Sequence, residues 1–191
     1  MARRIIYFGA SLTGKSTNLQ VLSTALPRAS AAPALRAVPK QNEEALVLDL
    51  AIQSTRGEDL HYELMTLPGA VFYEVAWTEV FRGADGFIYV ADSRREAFDE
   101  NEYYLRRFDA HLKAAKLHRS SCAVVIQANK RDLPSAAPLD AIEKNLGEHV
   151  VPATALDGKG VVETLRALLE RMVPGDAARI DWSAFDPQSI R

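Results

Sequence analysis

The chain has 191 residues, 48% of them hydrophobic, with a formal net charge of −2 and a single cysteine. This size and hydrophobic content suit one globular domain, and a nearly neutral chain without a dense basic stripe is not expected to take nucleic acid as its main partner. One cysteine excludes an intrachain disulfide and fits a reducing compartment, so we expect a cytoplasmic protein. Because no apolar run has the length of a membrane span and neither chain end carries a lipidation signal, no direct membrane anchor is expected.

The first predicted strand and helix flank a phosphate-binding motif. Residues 3–8 are β-branched and aromatic, which predicts a strand, and a leucine stripe over residues 19–26 predicts a helix. Between them, residues 9–16 read GASLTGKS and match the P-loop pattern. Loop N–H groups and the helix N-terminus would bind phosphate oxygens, Lys15 would lie between the β- and γ-phosphates, and the Ser16 hydroxyl would ligate Mg²⁺. The predicted phosphate-binding residues are Gly9, Ser11, Leu12, Thr13, Gly14, Lys15, Ser16 and Thr17.

The alternative interpretation of this motif is a glycine turn with an exposed lysine. The flanking strand and helix disfavour it, because they are the context in which a P-loop occurs.

A loop and a hairpin are predicted next. Residues 26–42 carry three prolines among small residues, which predicts a loop of about fifteen residues, long enough to suspect a function. The apolar runs 45–50 and 60–65 are joined by a short polar turn. Because that connection is too short for a crossover helix, the two strands should be antiparallel.

The rest of the chain alternates between strand and helix patterns. Helices are predicted over residues 71–82, from Ser93 to about Lys116, over 138–146 and over 161–172, with strands at 87–92, at 122–127 and from Val150. This alternation predicts an α/β domain of the three-layer P-loop NTPase type, with a mostly parallel six-stranded sheet, one antiparallel strand and helices on both faces. We place this domain at residues 1–175. A polar tail at 176–191 either docks through its aromatic residues or is loosely ordered.

A second motif concerns the base of the nucleotide. Asn129, Lys130, Arg131 and Asp132 follow a buried strand, which is where ligands bind in open parallel sheets. The Asp132 carboxylate could accept two hydrogen bonds from guanine, a donor pair that adenine lacks. Asn129 could bind the base edge and brace the P-loop, and the Lys130 stem could cover the ring. After the last strand, a turn could give a backbone N–H to guanine O6, and its residues are Ala153, Thr154 and Ala155.

Together these motifs resemble the Ras-like small GTPases, and in detail they are similar to the MglA family of bacterial gliding-motility and polarity GTPases. Residues 14–20 (GKSTNLQ) are similar to that family's P-loop and helix start. Residues 66–69 (TLPG) resemble its Thr-x-Pro-Gly signature, where other Ras-like proteins have Asp-x-x-Gly. The resemblance covers roughly residues 3–173, and further similar stretches lie at 82–86, 91–93, 125–127 and 129–134.

The resemblance implies a Ras-like G domain that binds GTP or GDP with Mg²⁺, with Gly69 among the nucleotide-binding residues. It also implies a nucleotide-dependent switch in cell polarity or motility, recruitment to a cell pole, and a roadblock-type regulatory partner on the switch surface. The long loop before the hairpin and the pair Phe72-Tyr73 are where we expect that partner to bind.

The sequence departs from the family where hydrolysis and metal binding are concerned. Ala70 stands where a glutamine usually orients the attacking water, so no catalytic residue is assigned. An ungapped alignment places Glu44 and Ala45 where an arginine and a threonine are usual, and Ala45 has no oxygen for Mg²⁺. The predicted metal ligands are Ser16, Asp49 and Thr66. For Asp49 the alternative is an acidic residue at a strand end.

Two functional classes remain. The first is a molecular switch that hydrolyses GTP very slowly unless a partner supplies catalytic groups. The second is a pseudo-GTPase scaffold that binds guanine nucleotide without cycling. A nucleotide kinase is a distant third, since no clustered arginines suggest a second substrate site.

Overall fold

A seven-stranded sheet organises the domain. The structure is a computed structural model that describes residues 2–25, 33–40, 43–67 and 74–185. The strands lie in the order β2-β3-β4-β1-β5-β6-β7. Their bounds are β1 Arg3–Phe8, β2 Ala34–Lys40, β3 Glu43–Gln53, β4 Asp59–Thr66, β5 Gly86–Asp92, β6 Ala123–Asn129 and β7 Val150–Pro152.

The sheet has seven strands and not the six that the sequence predicts. The additional strand, β2, lies within the segment predicted as a loop and pairs antiparallel with β3. Loop chemistry was inferred there from prolines and small residues, but β2 is the outer edge strand, where a proline disrupts no central ladder. The parts of that segment at 26–32 and 41–42 lie outside the described residues. As predicted, β3 alone runs antiparallel to the other strands, since β3 also pairs antiparallel with β4.

Helices cover both faces of the sheet, as expected. Their bounds are α1 Lys15–Ala25, α2 Glu74–Arg82, α3 Phe98–Ala114, α4 Leu139–Leu146, α5 Val161–Met172 and α6 Pro174–Ala177. Successive residues of β1 alternate between two buried clusters, because neighbouring side chains of a strand point to opposite faces. One cluster is mainly aliphatic and includes Leu22 of α1 and Leu165 of α5. The other is rich in aromatic rings and includes Phe81 of α2 and Phe108 of α3.

The segment after α5 packs onto the domain. Ile180 and Phe185 are buried in the aliphatic cluster, and the ring of Trp182 stacks on that of Phe185 at 5.2 Å between centroids. Arg179 donates a hydrogen bond of 2.7 Å to Glu58, in the turn between β3 and β4. The tail is therefore docked as far as Phe185, and residues 186–191 lie outside the description.

No helix in the described ranges is both long enough and apolar enough to cross a lipid bilayer.

The topology brings the predicted motifs to one edge. Strands β1, β4, β5, β6 and β7 are parallel, so their carboxyl ends point the same way. The P-loop follows β1, the 129–132 motif begins at the end of β6, and the alanine turn follows β7. This edge is where an open parallel sheet binds ligands.

Candidate nucleotide-binding site

The P-loop backbone requires both of its outer glycines. Gly9 has φ 143° and Gly14 has φ 101°, in the region that side chains disfavour. A Cβ on Gly9 would lie 2.3 Å from the carbonyl oxygen of Val90, and one on Gly14 would lie 2.2 Å from Nδ2 of Asn129. The two glycines are thus required because the loop backbone passes close to β5 at Gly9 and close to Asn129 at Gly14. Leu12, between the glycines, has φ 60° and a side chain that is 89% exposed.

Lys15 folds back over its own loop. Its Nζ donates to the carbonyl oxygen of Gly9 at 2.9 Å and to that of Ala10 at 2.5 Å. The residue is only 7% exposed. The ammonium is therefore held above the loop, where a phosphate oxygen could replace neutral carbonyls as its partner.

Asn129 joins the three predicted segments. Its Nδ2 donates to the Thr13 carbonyl of the P-loop at 2.7 Å. Its Oδ1 accepts from the Ala155 N–H of the turn after β7 at 2.9 Å. With the residue 3% exposed, both contacts are shielded from water. The side chain therefore supplies the brace that the sequence suggested.

The backbone donors of the alanine turn all hold partners within the protein. The Ala153 N–H donates to Ala128, the Thr154 N–H donates to Lys159, and the Ala155 N–H donates to Asn129. A guanine O6 would have to share the Ala155 N–H with Asn129. The sequence placed the turn beside the base site, but it could not show which donors the fold consumes.

A cavity of about 240 Å³ lies between these segments. Its lining is Leu12, Gly14, Thr17, Asn129, Lys130, Asp132, Leu133, Ala155 and Leu156. The Asp132 carboxylate has no hydrogen bond or ion pair within the described part of the chain, so both of its oxygens can accept from a ligand. Leu133 and Leu156 were not predicted, although both directly follow predicted residues.

Lys130 is anchored by a carboxylate that the predicted site lacked. Its Nζ lies 2.6 Å from Oδ2 of Asp92, at the end of β5. Arg94 donates to the same carboxylate through Nε and Nη2. Burial alone would raise the pKa of Asp92, but the hydrogen bonds from Arg94 and Lys130 outweigh it and hold that pKa below its usual value. In the sequence, the feature that could have indicated Asp92 is an acidic residue at the end of an apolar strand.

A buried polar chain supports the P-loop from below. Asn18 of α1 donates to the Gly14 carbonyl and exchanges two hydrogen bonds of 2.9 Å with Gln127 of β6. Gln127 also donates to Thr164 of α5. Asn18, Gln127 and Thr164 are each 0% exposed. The sequence carried a signal here as well, namely a glutamine in an otherwise apolar strand.

The predicted metal ligands do not all meet. Ser16 is exposed in the first turn of α1, and Thr66 ends β4 with its Oγ1 accepting from the Leu46 N–H at 2.9 Å. Asp49 instead lies within β3, paired in register with Glu63, and its carboxylate is 3.4 Å from Arg36. Glu63, the residue of β4 opposite Asp49, is three residues before Thr66. Asp49 is therefore displaced from Thr66 by about 10 Å along the strand direction. Asp49 therefore belongs to an ion pair of the sheet and not to the metal site.

Several predicted positions cannot be placed. Gly69, Ala70 and the pair Phe72-Tyr73 lie outside the described residues. Ala45 is described and buried, opposite Val38 of β2.

A larger cavity, of about 570 Å³, opens at the other end of β6. It is lined by Arg119, Cys122 and Arg171 among others, and it contains none of the predicted site residues.

A phosphate loop tied by shared hydrogen bonds to a base cavity defines a P-loop nucleotide-binding protein. Comparison with known proteins specifies the family. The model of the ADP-ribosylation factor family matches residues 1–172. The mutual gliding-motility protein MglA of Myxococcus xanthus is 33% identical over 171 residues, which cover 86% of this chain and 87% of that protein.

Two more distant relatives match over shorter stretches. Human ADP-ribosylation factor-like protein 4C is 30% identical over 106 residues, 51% of this chain and 53% of its own length. Elongation factor 4 of Thermus thermophilus is 24% identical over 139 residues, 69% of this chain and 21% of its own length. The chain belongs to the ADP-ribosylation factor family of Ras-like small GTPases, and within it to the MglA family, as its motifs predicted.

Proposed function

We propose that the protein is a guanine-nucleotide switch that binds GTP and GDP through the P-loop and the 129–132 motif. The observation that carries this proposal is the free Asp132 carboxylate at a cavity where Asn129 and Lys130 already hold partners. Guanine can satisfy that carboxylate with two N–H donors. Adenine offers no such donor pair and would leave the carboxylate without a partner at the base edge.

Magnesium would accompany the nucleotide. Ser16 supplies a hydroxyl in the first turn of α1, and Thr66 supplies a second hydroxyl whose remaining lone pair is available. Both are neutral oxygens, so the nucleotide phosphates and water would provide the charge and most of the ligands. The metal would neutralise phosphate charge, while Lys15 and the loop N–H groups hold the phosphates.

We propose a cellular role in bacterial motility or cell polarity. The support is the similarity to a mutual gliding-motility protein over 86% of this chain. We also propose that the protein is cytoplasmic and recruited to a cell pole. A roadblock-type protein on the switch surface is the proposed partner. The pseudo-GTPase scaffold stands as a second candidate, since Ala70 cannot orient water and Ala45 cannot ligate Mg²⁺.

The test is competitive nucleotide binding with an Asp132→Ala variant. We expect the unaltered protein to prefer GTP strongly over ATP, and the variant to lose about 10- to 100-fold in GTP affinity, the value of a charge-assisted pair. The matched control is Asp140→Ala, which removes the same charge from an exposed position in the first turn of α4. Equal affinity of the unaltered protein for ATP and GTP would refute the proposal.

A further inference from the structure

We propose that Asp92 is a positioning residue that acts through Lys130 to set how long a nucleotide stays bound. The inference rests on the proposed guanine-nucleotide function. It gives Asp92, at the end of β5, a role in base binding, although Asp92 belongs to neither the P-loop nor the 129–132 motif.

The position of Asp92 is fixed before any ligand arrives. Its backbone N–H donates to Oδ1 of Asn101 at 3.0 Å, and its carbonyl accepts from Nδ2 of the same residue at 2.8 Å. Asn101 is 1% exposed and belongs to α3. The side chain of Asp92 is itself only 5% exposed. A clamped backbone and a shielded carboxylate make this a rigid anchor.

The carboxylate does not need Lys130 for its own neutralisation. Arg94 Nε lies 3.1 Å from each carboxylate oxygen, and its Nη2 lies 2.8 Å from Oδ2. One arginine therefore already satisfies the buried charge in a fork geometry. The second cation, Lys130 Nζ at 2.6 Å, is surplus to that requirement. Its placement is better explained by what it does to the lysine.

The Lys130 side chain is fixed at both of its ends and lines the base cavity. The backbone of Lys130 has φ 65°, an uncommon conformation for a residue with a side chain, and it directly follows the buried Asn129. The ammonium is fixed at Asp92, and the residue lines the base cavity. The aliphatic stem is thus held between two fixed points, available to cover the face of a base.

Loss of the anchor should shorten nucleotide residence. A lysine side chain that is free in the unbound state must lose rotamer freedom when it covers a ligand, whereas the anchored one has already lost it. We expect Asp92→Asn to accelerate dissociation of a fluorescent GDP analogue about tenfold, with a smaller change in the association rate. Lys130→Met, which keeps the stem but removes the ammonium, should show a similar acceleration.

The decisive experiment is a double-mutant cycle on the full chain. If Asp92 acts through Lys130, Asp92→Asn adds less than twofold to the dissociation rate in the Lys130→Met background. Equal factors in both backgrounds would overturn the proposal, as would an unchanged rate for Lys130→Met alone. That single variant keeps the Asp92–Arg94 pair, so the test stands even where Asp92→Asn fails to fold.

Two further measurements separate positioning from a structural effect. Arg94→Gln removes the other cation, and it should accelerate dissociation far less than Asp92→Asn. A full effect of Arg94→Gln would show that the carboxylate acts through Arg94 and not through Lys130, which refutes the proposal. Dissociation of inosine diphosphate should accelerate by the same factor as that of GDP, since Lys130 covers the ring and Asp132 reads the exocyclic amine.

Failure of the unaltered protein to retain guanine nucleotide would refute the proposed function as well, whereas retention with unchanged rates in the variants would refute this inference alone.

Discussion

The base half and the phosphate half of the site are built differently. In the base half, Asn129 is tied to Thr13 and Ala155, and Lys130 is tied to Asp92, so two of the side chains that frame the cavity already hold defined partners. In the phosphate half, the functional ammonium of Lys15 is held by carbonyls of its own loop. In the base half Asn129 and Lys130 can keep their partners when a ligand enters, while in the phosphate half Lys15 must exchange its partners.

This difference has an energetic meaning. The contacts of Lys15 are to neutral carbonyls, and phosphate oxygens carry charge, so the exchange gains a stronger class of hydrogen bond. The base half gains its affinity from preorganisation, because little freedom is left to lose. We therefore expect substitutions in the two halves to affect different parts of a nucleotide, and this expectation can be tested.

The largest effect is expected from Lys15→Ala. It should weaken GDP binding by on the order of 100-fold or more, because it removes the charge that faces the β-phosphate. GMP, which lacks that phosphate, should be affected much less, so the gap between the two affinities should shrink. Titration calorimetry with both nucleotides measures this, and Lys159→Ala, at an exposed lysine paired with Asp157, is the control.

Asp132→Ala provides the converse comparison. It should lower the affinity for GDP and GMP by the same factor and leave the gap between them intact. Were the gap to shrink as much as with Lys15→Ala, the two halves would not be separable in the way described.

A smaller effect, on both halves together, is expected from Asn129→Ala. The change removes the donor to Thr13 and the acceptor for the Ala155 N–H, and it leaves two polar groups without partners at a site that is 3% exposed. We expect a loss of about 2 kcal/mol in unfolding free energy, roughly 4–8 °C in melting temperature for a domain of this size. Thermal unfolding without nucleotide measures it directly.

Asn129→Asp sharpens that result. It keeps an acceptor for Ala155, but it puts an oxygen in place of the donor to Thr13 and adds a negative charge at a site that is 3% exposed. We therefore expect a melting temperature below that of the alanine variant, because a buried charge without a partner is costly. A melting temperature above that of the alanine variant would show that the bond to Ala155 outweighs the charge and the lost donor.

Motif spacing correctly placed the P-loop after β1 and the 129–132 motif at the end of β6, because each motif lies within a few residues of its strand. The link between the halves was only partly predictable. Asn129 was expected to brace the P-loop, but its partner Ala155 is 26 residues away. Asp92 is 38 residues from Lys130, and only the parallel pairing of β5 with β6 brings them together. Such contacts depend on sheet order, which local pattern does not contain.

The errors have the same origin. Its acidic side chain near a predicted strand end suggests a metal ligand for Asp49, yet the register of β3 against β4 sets it beside Glu63 and Arg36. The composition of the segment containing β2 suggests a loop, yet an edge strand tolerates the same composition. In both cases pairing between strands outweighed local chemistry.

The smallest effect is expected from Ala70→Gln, directly after the TLPG signature at 66–69. A methyl group can neither donate to nor accept from the attacking water, so the unaltered protein should hydrolyse GTP at or below the rate of unaided Ras, on the order of 10⁻⁴ s⁻¹. Glutamine should raise the single-turnover rate several-fold and leave nucleotide affinity nearly unchanged, because orienting water matters mainly in the transition state. Adding Glu44→Arg should raise the rate further, since the family usually carries an arginine at this aligned position and positive charge stabilises the transition state. Rapid unaided hydrolysis by the unaltered protein would show that another residue orients the water. Nucleotide that stays unchanged in every variant and with every partner tested would favour the scaffold over the switch.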